Sequence, residues 1–301
     1  MQTTHSLDDL KKYHTEAINF FNAELFLLKE VMPKITDKRI GKASMLLVSC
    51  SQTGTALIQL ANQIDFFRNE SVMLSRAFME KITNFCYVGI CDEKEFRAFT
   101  LHPAYKHYHN VMLPKMEDDI EFTTAEEYAE AANKKYHERK EKQEKLKKIP
   151  IVQEALTIFS ETKTNLNWTK KTLNDRIEAI QKWGKLLDVF FTINKIQYYS
   201  DASETLHGSL YGCTYNAGVF NPDFDHTKEN ELEKKLYKDN TCILLHLGML
   251  IHESFTLISY SNDIQLIWDN SYRNRNQALN LLYHVLGKKI PGLKEKEANQ
   301  S

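Results

Sequence analysis

The chain has 301 residues, of which 42% are hydrophobic and 26% are charged, and its formal net charge is −1. This composition is ordinary for a soluble globular protein, and the small charge excludes a global electrostatic attraction to nucleic acid or to an anionic membrane. Ten glycines and six prolines are few for this length and disfavour an all-β or loop-rich fold. With no internal repeat or low-complexity linker, the sequence predicts an all-α protein, one multi-helix, bundle-like domain over residues 1–301.

Cysteine usage and the terminal sequence indicate the compartment. The five cysteines are scattered without C-x-x-C spacing, which is typical of free thiols in a reducing compartment. The N-terminus lacks a basic segment followed by an apolar one, so we predict no signal peptide. The most apolar run, residues 242–253, contains two histidines and a glutamate and is too short for a membrane span. These features predict a cytoplasmic protein that does not bind a membrane.

Capping residues and apolar periodicity predict the helices of the first third. Ser6, with Asp9 three residues on, begins a first helix that Pro33 ends, and a second helix is expected to start near Asp37. A third helix covers about 71–89, where apolar residues recur at helical spacing. Asp92 caps a short fourth helix, which Pro103 is expected to interrupt because proline breaks the helical hydrogen-bond pattern.

The segment 125–148 consists almost entirely of glutamate, lysine, alanine and glutamine. It carries several Glu–Lys pairs four residues apart, among them Glu141–Lys145, in the order that favours a helix. This pattern predicts a long, exposed, charged helix that Pro150 ends. Two interpretations remain open for it, a solvated insertion and an arm that contacts a protein partner or RNA.

Four more helical stretches follow in the remainder of the chain. They are expected over about 168–183, 186–211, 240–260 and 272–286, before a polar tail. No internal repeat or low-complexity linker separates them.

The first candidate site is Arg76 and Glu80 on the third predicted helix. Residues four apart share a helix face, and here the two charges lie in an apolar neighbourhood. One interpretation is a buried ion pair that fixes the helix register. The other is that the planar guanidinium of Arg76 binds an anion such as a phosphate or a carboxylate.

The second candidate site is a polar stripe formed by Tyr199, Ser203 and His207. Their four-residue spacing places all three on one helix face, and His207 is followed by Gly208. A histidine can act as general acid or base near neutral pH, with a hydroxyl nearby to donate or accept a proton. The alternative is a core histidine whose hydrogen bonds are satisfied within the bundle.

Other chemistry has less support. Ser209 is not in the G-x-S-x-G register of a serine hydrolase, and no strand precedes it. The chain has no H-E-x-x-H motif and no paired E-x-x-H motif, so no metal and no cofactor are predicted. Arg97 and His102 are spaced similarly to the Arg–His pair of HEPN ribonucleases, which surrounds the scissile phosphate. Ala98 and Pro103 depart from that pattern.

Taken together, Arg76/Glu80 and Tyr199/Ser203/His207/Gly208 resemble the two marks of a group of uncharacterised bacterial all-helical proteins, known only as a domain of unknown function. The resemblance covers about residues 40–215 and excludes the charged segment 125–148. The group's pattern is in turn similar to HEPN-like helical domains of toxin–antitoxin and phage-defence systems. The resemblance implies an all-helical fold and a set of site residues, and only by analogy a reaction.

Two functions are expected from these features. In the first, the chain is a HEPN-like effector, a metal-independent ribonuclease or toxin component of a defence system. Arg76 then binds the phosphate, His207 is the general acid or base, and Glu80, Tyr199 and Ser203 orient them. In the second, the chain is a non-enzymatic binding or scaffold protein in which these side chains form a buried network. RNA, a protein partner bound through 125–148 and a second copy of the chain are the partners considered.

Overall fold

In the computed structural model, the residues that can be described are 5–63, 68–113, 124–160, 167–182, 202, 223–259 and 263–287. Within these residues the chain forms α-helices and short 3-10 turns and no strand, so the all-α prediction is confirmed. The helices are α1 (Leu7–Val31), α2 (Lys38–Ala61), α3 (Arg68–Ile90), α4 (Glu93–Asn110), α5 (Ala125–Lys147), α6 (Pro150–Phe159), α7 (Leu173–Gln181), α8 (Glu229–Ser259) and α9 (Gln265–Leu286).

The chain divides into two compact units. The smaller unit is 91–172, and the larger unit combines 1–90 with 173–301. The described helices of the larger unit are α1, α2, α3, α7, α8 and α9, and those of the smaller unit are α4, α5 and α6. The single domain over 1–301 stays a prediction.

Helix α1 lies against α2, α8 and α9 in the larger unit. It begins at the predicted cap, where Ser6 and Asp9 form a reciprocal capping box. Two glycines allow close approach to α1. A Cβ atom on Gly54 of α2 would lie 2.6 Å from a methyl carbon of Leu25, and one on Gly248 of α8 would collide with the Phe20 ring. Their missing side chains therefore set how closely α1 packs against two neighbours.

Helix α8 is the core helix of the larger unit. Every residue from Asn240 to Phe255 is buried, because α8 packs against α1, α3 and α9. The stretch His226–Ser259 is long and apolar enough to cross a membrane by length and composition, but 94% of its most apolar window is buried inside the protein. A helix that is apolar all round is also what the core of a protein requires.

The last two helices begin earlier than predicted. Helix α8 starts at Glu229 rather than near 240, and α9 starts at Gln265 rather than near 272. The first turns of α8 are polar, so its apolar pattern marks only the part of the helix that enters the core. The first turn of α9 already contains the buried Ile267, and the sequence prediction missed it. The predicted helix 186–211 lies outside the described residues, apart from Ala202.

In the smaller unit, α4 packs against α6 around Leu101, Ala155 and Phe159. The expected interruption at Pro103 is wrong, because α4 continues through it to Asn110. Proline removes one backbone donor, and the turns on either side keep the helix in place, with Leu101 fully buried just before it. Asp92 caps α4 as predicted.

Helix α5 is the exposed, charged helix predicted for 125–148. None of its 23 residues is buried. The predicted pair Glu141–Lys145 forms with 2.8 Å between charged atoms, and Lys135–Glu138 adds a longer pair at 3.8 Å. The helix ends at Lys147, and Pro150 then occupies the first position of α6, where its missing N–H costs nothing.

Candidate functional site

The structure confirms that Arg76 and Glu80 share one face of α3. Arg76 Nε donates to Glu80 Oε1 at 3.3 Å. The side chain of Arg76 is 16% exposed and that of Glu80 is 38% exposed. The pair is therefore neither sealed in the core nor fully solvated, and solvent reaches the carboxylate more freely than the guanidinium.

The same face of α3 continues one turn further to Asn84. Its amide oxygen accepts a hydrogen bond from Arg176 of α7, the helix that packs against this part of α3. Arg76, Glu80 and Asn84 recur every four residues, so they form one polar line along α3. We call these three residues the α3 stripe.

The second half of the predicted site cannot be compared with the structure. Tyr199, Ser203 and His207 lie outside the described residues, as does Gly208. Their meeting with Arg76 and Glu80 therefore stays a prediction. What the structure brings together, among the residues it describes, is Arg76 with Glu80 and Asn84 with Arg176.

Sequence reasoning missed a second group of polar residues, which lies between α1, α8 and α9. Glu24 of α1 is 0% exposed. Its carboxyl oxygens accept hydrogen bonds from Ser271 Oγ at 2.6 Å and from Asn274 Nδ2 at 2.9 Å. Ser271 Oγ also lies 2.9 Å from His252 Nδ1, which extends the hydrogen-bonded chain from α1 through α9 to α8. Three helices are thus joined by side-chain hydrogen bonds in the core.

The buried environment disfavours charge on Glu24 and on His252, the two end members of this hydrogen-bonded series. Burial raises the pKa of Glu24 to about 7, and the bonds from Ser271 and Asn274 oppose that rise. Burial, with the positive charge of Arg275 as a lesser cause, lowers the pKa of His252 to about 4. His252 is therefore neutral at physiological pH. When Glu24 is ionised, the single hydroxyl proton of Ser271 goes to the carboxylate, so His252 Nδ1 must donate to Ser271.

A buried ion pair lies next in sequence to His252, on the same helices α8 and α9. Glu253 of α8 and Arg275 of α9 are each less than a tenth exposed, and Oε1 and Nε are 3.2 Å apart. The two atoms are in ion-pair range without the alignment of a good hydrogen bond. Burial raises the pKa of Glu253, and the charge of Arg275 opposes that rise. We call Glu24, His252, Glu253, Ser271 and Arg275 the buried polar cluster.

A signal for the buried polar cluster is present in the sequence. Glu24 lies between Phe21 and Leu28 at helical spacing, so it falls on the apolar face of α1. His252 and Glu253 follow directly on an apolar run that is too long to be one face only. A charged residue at a core position of a helix needs a partner, which pairing across helices supplies.

The alternative pair Arg97 and His102 has structural roles in the smaller unit. The guanidinium of Arg97 forms a two-pronged ion pair with the carboxylate of Glu154 on α6, with Nε and Oε1 2.7 Å apart. The ring of His102 stacks on Tyr105 and meets Phe159 edge to face. These contacts hold α4 to α6, which accounts for both residues without catalysis.

Cysteines and metals give no further candidate among the described residues. Cys50, Cys86, Cys91 and Cys242 are free and buried. Burial raises the pKa of the Cys242 thiol to about 12 and raises those of Cys50 and Cys86 further, so these thiols are unreactive. In the same part of the chain no three His, Cys, Asp or Glu side chains are placed to hold a metal ion.

The chain was compared with protein-family models, curated proteins and solved structures. No protein-family model, no curated protein and no solved structure matches it.

Proposed function

We propose that this protein is a HEPN-like helical effector that binds RNA at the α3 stripe and cleaves it without a metal ion. The observation that carries the proposal is the partial exposure of the ion pair between Arg76 and Glu80. In the buried pair of Arg275 with Glu253 the two side chains are only 9% and 5% exposed. The side chain of Arg76 is 16% exposed and its Glu80 partner 38%, so a phosphate can reach the ion pair.

The α3 stripe supplies groups suited to a phosphodiester. Arg76 Nε already donates to Glu80 and Nη1 is buried, so Nη2 is the guanidinium nitrogen suited to donate to a phosphate oxygen and stabilise the charge that develops on it. Glu80 accepts from Arg76 Nε and so holds the guanidinium in one orientation. Asn84 extends the polar line by one turn, and its partner Arg176 provides a further cationic contact for the RNA strand.

His207 is the proposed general acid or base, with Tyr199 and Ser203 positioning it. In this reaction the 2′-oxygen of a ribose attacks the adjacent phosphorus while the bond from phosphorus to the 5′-oxygen breaks. One proton leaves the 2′-hydroxyl and one reaches the departing 5′-oxygen, and a histidine is suited to either transfer near neutral pH. The products are a 2′,3′-cyclic phosphate and a free 5′-hydroxyl.

The test is RNA cleavage by purified variants of the full chain. Arg76→Ala removes one charge-stabilising donor and should slow cleavage about a hundredfold, and His207→Ala should abolish it. Arg97→Ala and His102→Ala are matched controls, because their side chains already have contacts with α6. Far-UV circular dichroism checks that each variant remains helical.

The outcomes separate three cases. Loss of cleavage in the Arg76 and His207 variants alone supports the proposal. Loss in the Arg97 and His102 variants alone moves the site to α4. Cleavage that requires an added divalent cation, or no cleavage by the wild type under any of these conditions, contradicts the proposed activity.

A second candidate function is a non-enzymatic binding or scaffold protein. Helix α5 favours it, because none of its 23 residues is buried, so the face turned away from α4 and α6 is available to a partner. Its exposed tyrosines, Tyr128 and Tyr136, lie eight residues apart and hence near one face. Under this function, replacing both tyrosines with serine weakens partner binding, and the Arg76 and His207 variants lose stability only.

A further inference from the structure

An open groove of about 690 Å³ lies between α1 and α9 in the larger unit. This volume is within the range of sites that hold small molecules. The lining residues recur every three or four positions on each helix, so the groove follows the seam between the two helices. Half of its ten lining residues carry amides, namely Asn19, Asn22, Asn270, Asn274 and Gln277, and the charged lining residues are Glu30 and Arg273.

The amide of Asn274 has a fixed orientation. Its Nδ2 donates to Glu24 Oε1 at 2.9 Å, and Glu24 is held in turn by Ser271. The nitrogen of Asn274 thus faces the core, and its carbonyl oxygen remains as an acceptor for the groove. The buried polar cluster therefore sets the direction of this amide before any ligand arrives.

The amide of Asn270, one turn earlier on α9, has the complementary orientation. Its Oδ1 accepts from Arg273 Nη2 at 2.6 Å. Because arginine only donates, this bond leaves the nitrogen of Asn270 as a donor for the groove. Asn270 and Asn274 thus present a donor and an acceptor four residues apart on one helix face.

An aromatic ring lies across the groove from these amides. Phe26 of α1 lines the groove and is 60% exposed. An exposed phenylalanine beside ordered amides is suited to a flat ligand, because a planar ring stacks on it while its edge forms hydrogen bonds. Arg273 retains donors beyond those to Asn270 and to the backbone of Asp269, which suits a phosphate.

We propose that the groove between α1 and α9 binds a nucleobase, which stacks on Phe26 and is read along its edge by Asn270 and Asn274. Each base carries a donor next to an acceptor on its pairing edge, which matches the acceptor and donor of these two amides. If the base belongs to an RNA strand, the groove is a subsite of the ribonuclease, and the inference then rests on the function proposed above. The base of a free nucleotide would make the same contacts.

The test uses fluorescein-labelled uridine hexamers with 2′-O-methyl groups, which cannot undergo the 2′-oxygen attack. Fluorescence anisotropy measures their binding to the full chain. An abasic hexamer should bind at least about tenfold more weakly, because a stacked base contributes on the order of 1–3 kcal/mol. A hexamer of 3-methyluridine, which stacks but lacks the N–H donor, should also bind more weakly.

Two variants locate the binding in the groove. Phe26→Ala should weaken binding of the uridine hexamer about tenfold. Its control is Leu266→Ala, which removes a side chain that is 66% exposed and lies outside the groove. Asn270→Asp replaces the donor with an acceptor and should also weaken binding, whereas Asn280→Asp adds the same charge outside the groove and should not.

Each result has a defined meaning. Equal binding of the uridine and abasic hexamers, or of wild type and both groove variants, overturns the inference, as does the absence of binding to the hexamer and to uridine monophosphate. Monophosphate that competes at the affinity of the hexamer identifies a free nucleotide as the source. Cleavage that persists without base binding removes only this inference. Base binding by a chain that never cleaves RNA removes only the proposed catalysis.

Discussion

The larger unit holds two groups of polar residues, and they handle charge in opposite ways. In the buried polar cluster, Glu24 is 0% exposed and His252 is 3% exposed. Burial raises the pKa of Glu24 and lowers that of His252, so in each case it favours the neutral form. The α3 stripe keeps Arg76 and Glu80 in partial contact with water. The first group is arranged like the interior of a bundle, and the second is arranged like the wall of a site.

This difference indicates which group is suited to bind a ligand. The buried, hydrogen-bonded side chains His252, Ser271 and Glu24 join three helices, and their polar groups already bind one another. A partly open arginine that is already oriented by a carboxylate can exchange water for a phosphate at small cost. Stability measurements can therefore test the comparison, because only the buried polar cluster should respond strongly to substitution.

The largest effect is expected at the buried ion pair. Arg275→Ala leaves the carboxylate of Glu253 buried without its cation, and we expect the free energy of unfolding to fall by about 3–5 kcal/mol. Urea denaturation monitored by circular dichroism measures this change. Arg273→Ala on the same helix is the control, because Arg273 is exposed and its hydrogen bonds go to Asp269 and Asn270 of α9 itself.

A double variant shows whether the loss comes from stranded charge. Replacing Glu253 with leucine together with Arg275→Met removes both charges and fills similar volume, which should recover most of the stability. A loss of less than 1 kcal/mol in Arg275→Ala would mean that the pair is solvated, and the contrast with the α3 stripe would disappear.

The next effect is a pH dependence caused by Glu24. Its pKa rises from an ordinary 4.5 in the unfolded chain to about 7 in the folded one, so folding favours the protonated form. The resulting stabilisation is complete below pH 4.5 and is lost as the pH rises through 7, a change of about 3 kcal/mol. Urea denaturation at intervals from pH 4.5 to pH 9 follows it.

The variant Glu24→Gln isolates the contribution of Glu24 to the pH dependence of stability. Glutamine keeps the shape and can still accept from Asn274, but it does not titrate, so the decline in stability toward alkaline pH should flatten by the amount stated. Glu30→Gln on the exposed side of α1 is the control and should keep the wild-type profile. An unchanged decline in the Glu24 variant would assign the pH dependence to another group.

The helices of this protein were predictable where local signals decide them. Ser6, Asp37 and Asp92 each cap the helix expected of them, since capping depends on a few neighbouring residues. The error at Pro103 has a tertiary cause, because packing of α4 on α6 maintains a helix that local rules would end. The start of α8 was placed late because its first turns are polar, whereas the start of α9 was placed late although Ile267 in its first turn is buried.

The candidate site was predictable only within one helix. The four-residue spacing of Arg76 and Glu80 fixes their shared face, and the structure contains that pair. The bond from Arg176 to Asn84 joins residues far apart in sequence, as does the bond from Ser271 to Glu24. Periodicity identifies which residues of a helix face inward, and it does not tell which distant helix they meet.

The smallest effect is expected at the α3 stripe, where Arg76→Ala should lower the free energy of unfolding by only about 1 kcal/mol. The reason is that Glu80, left without Arg76, is already more than a third exposed and can be solvated in place. Urea denaturation beside the Arg275 variant gives the comparison directly. A loss near that of Arg275→Ala would show that the stripe is a structural pair, and the phosphate-binding role proposed for Arg76 would then lose its support. A small loss accompanied by slower RNA cleavage would separate the two groups by function as well as by burial.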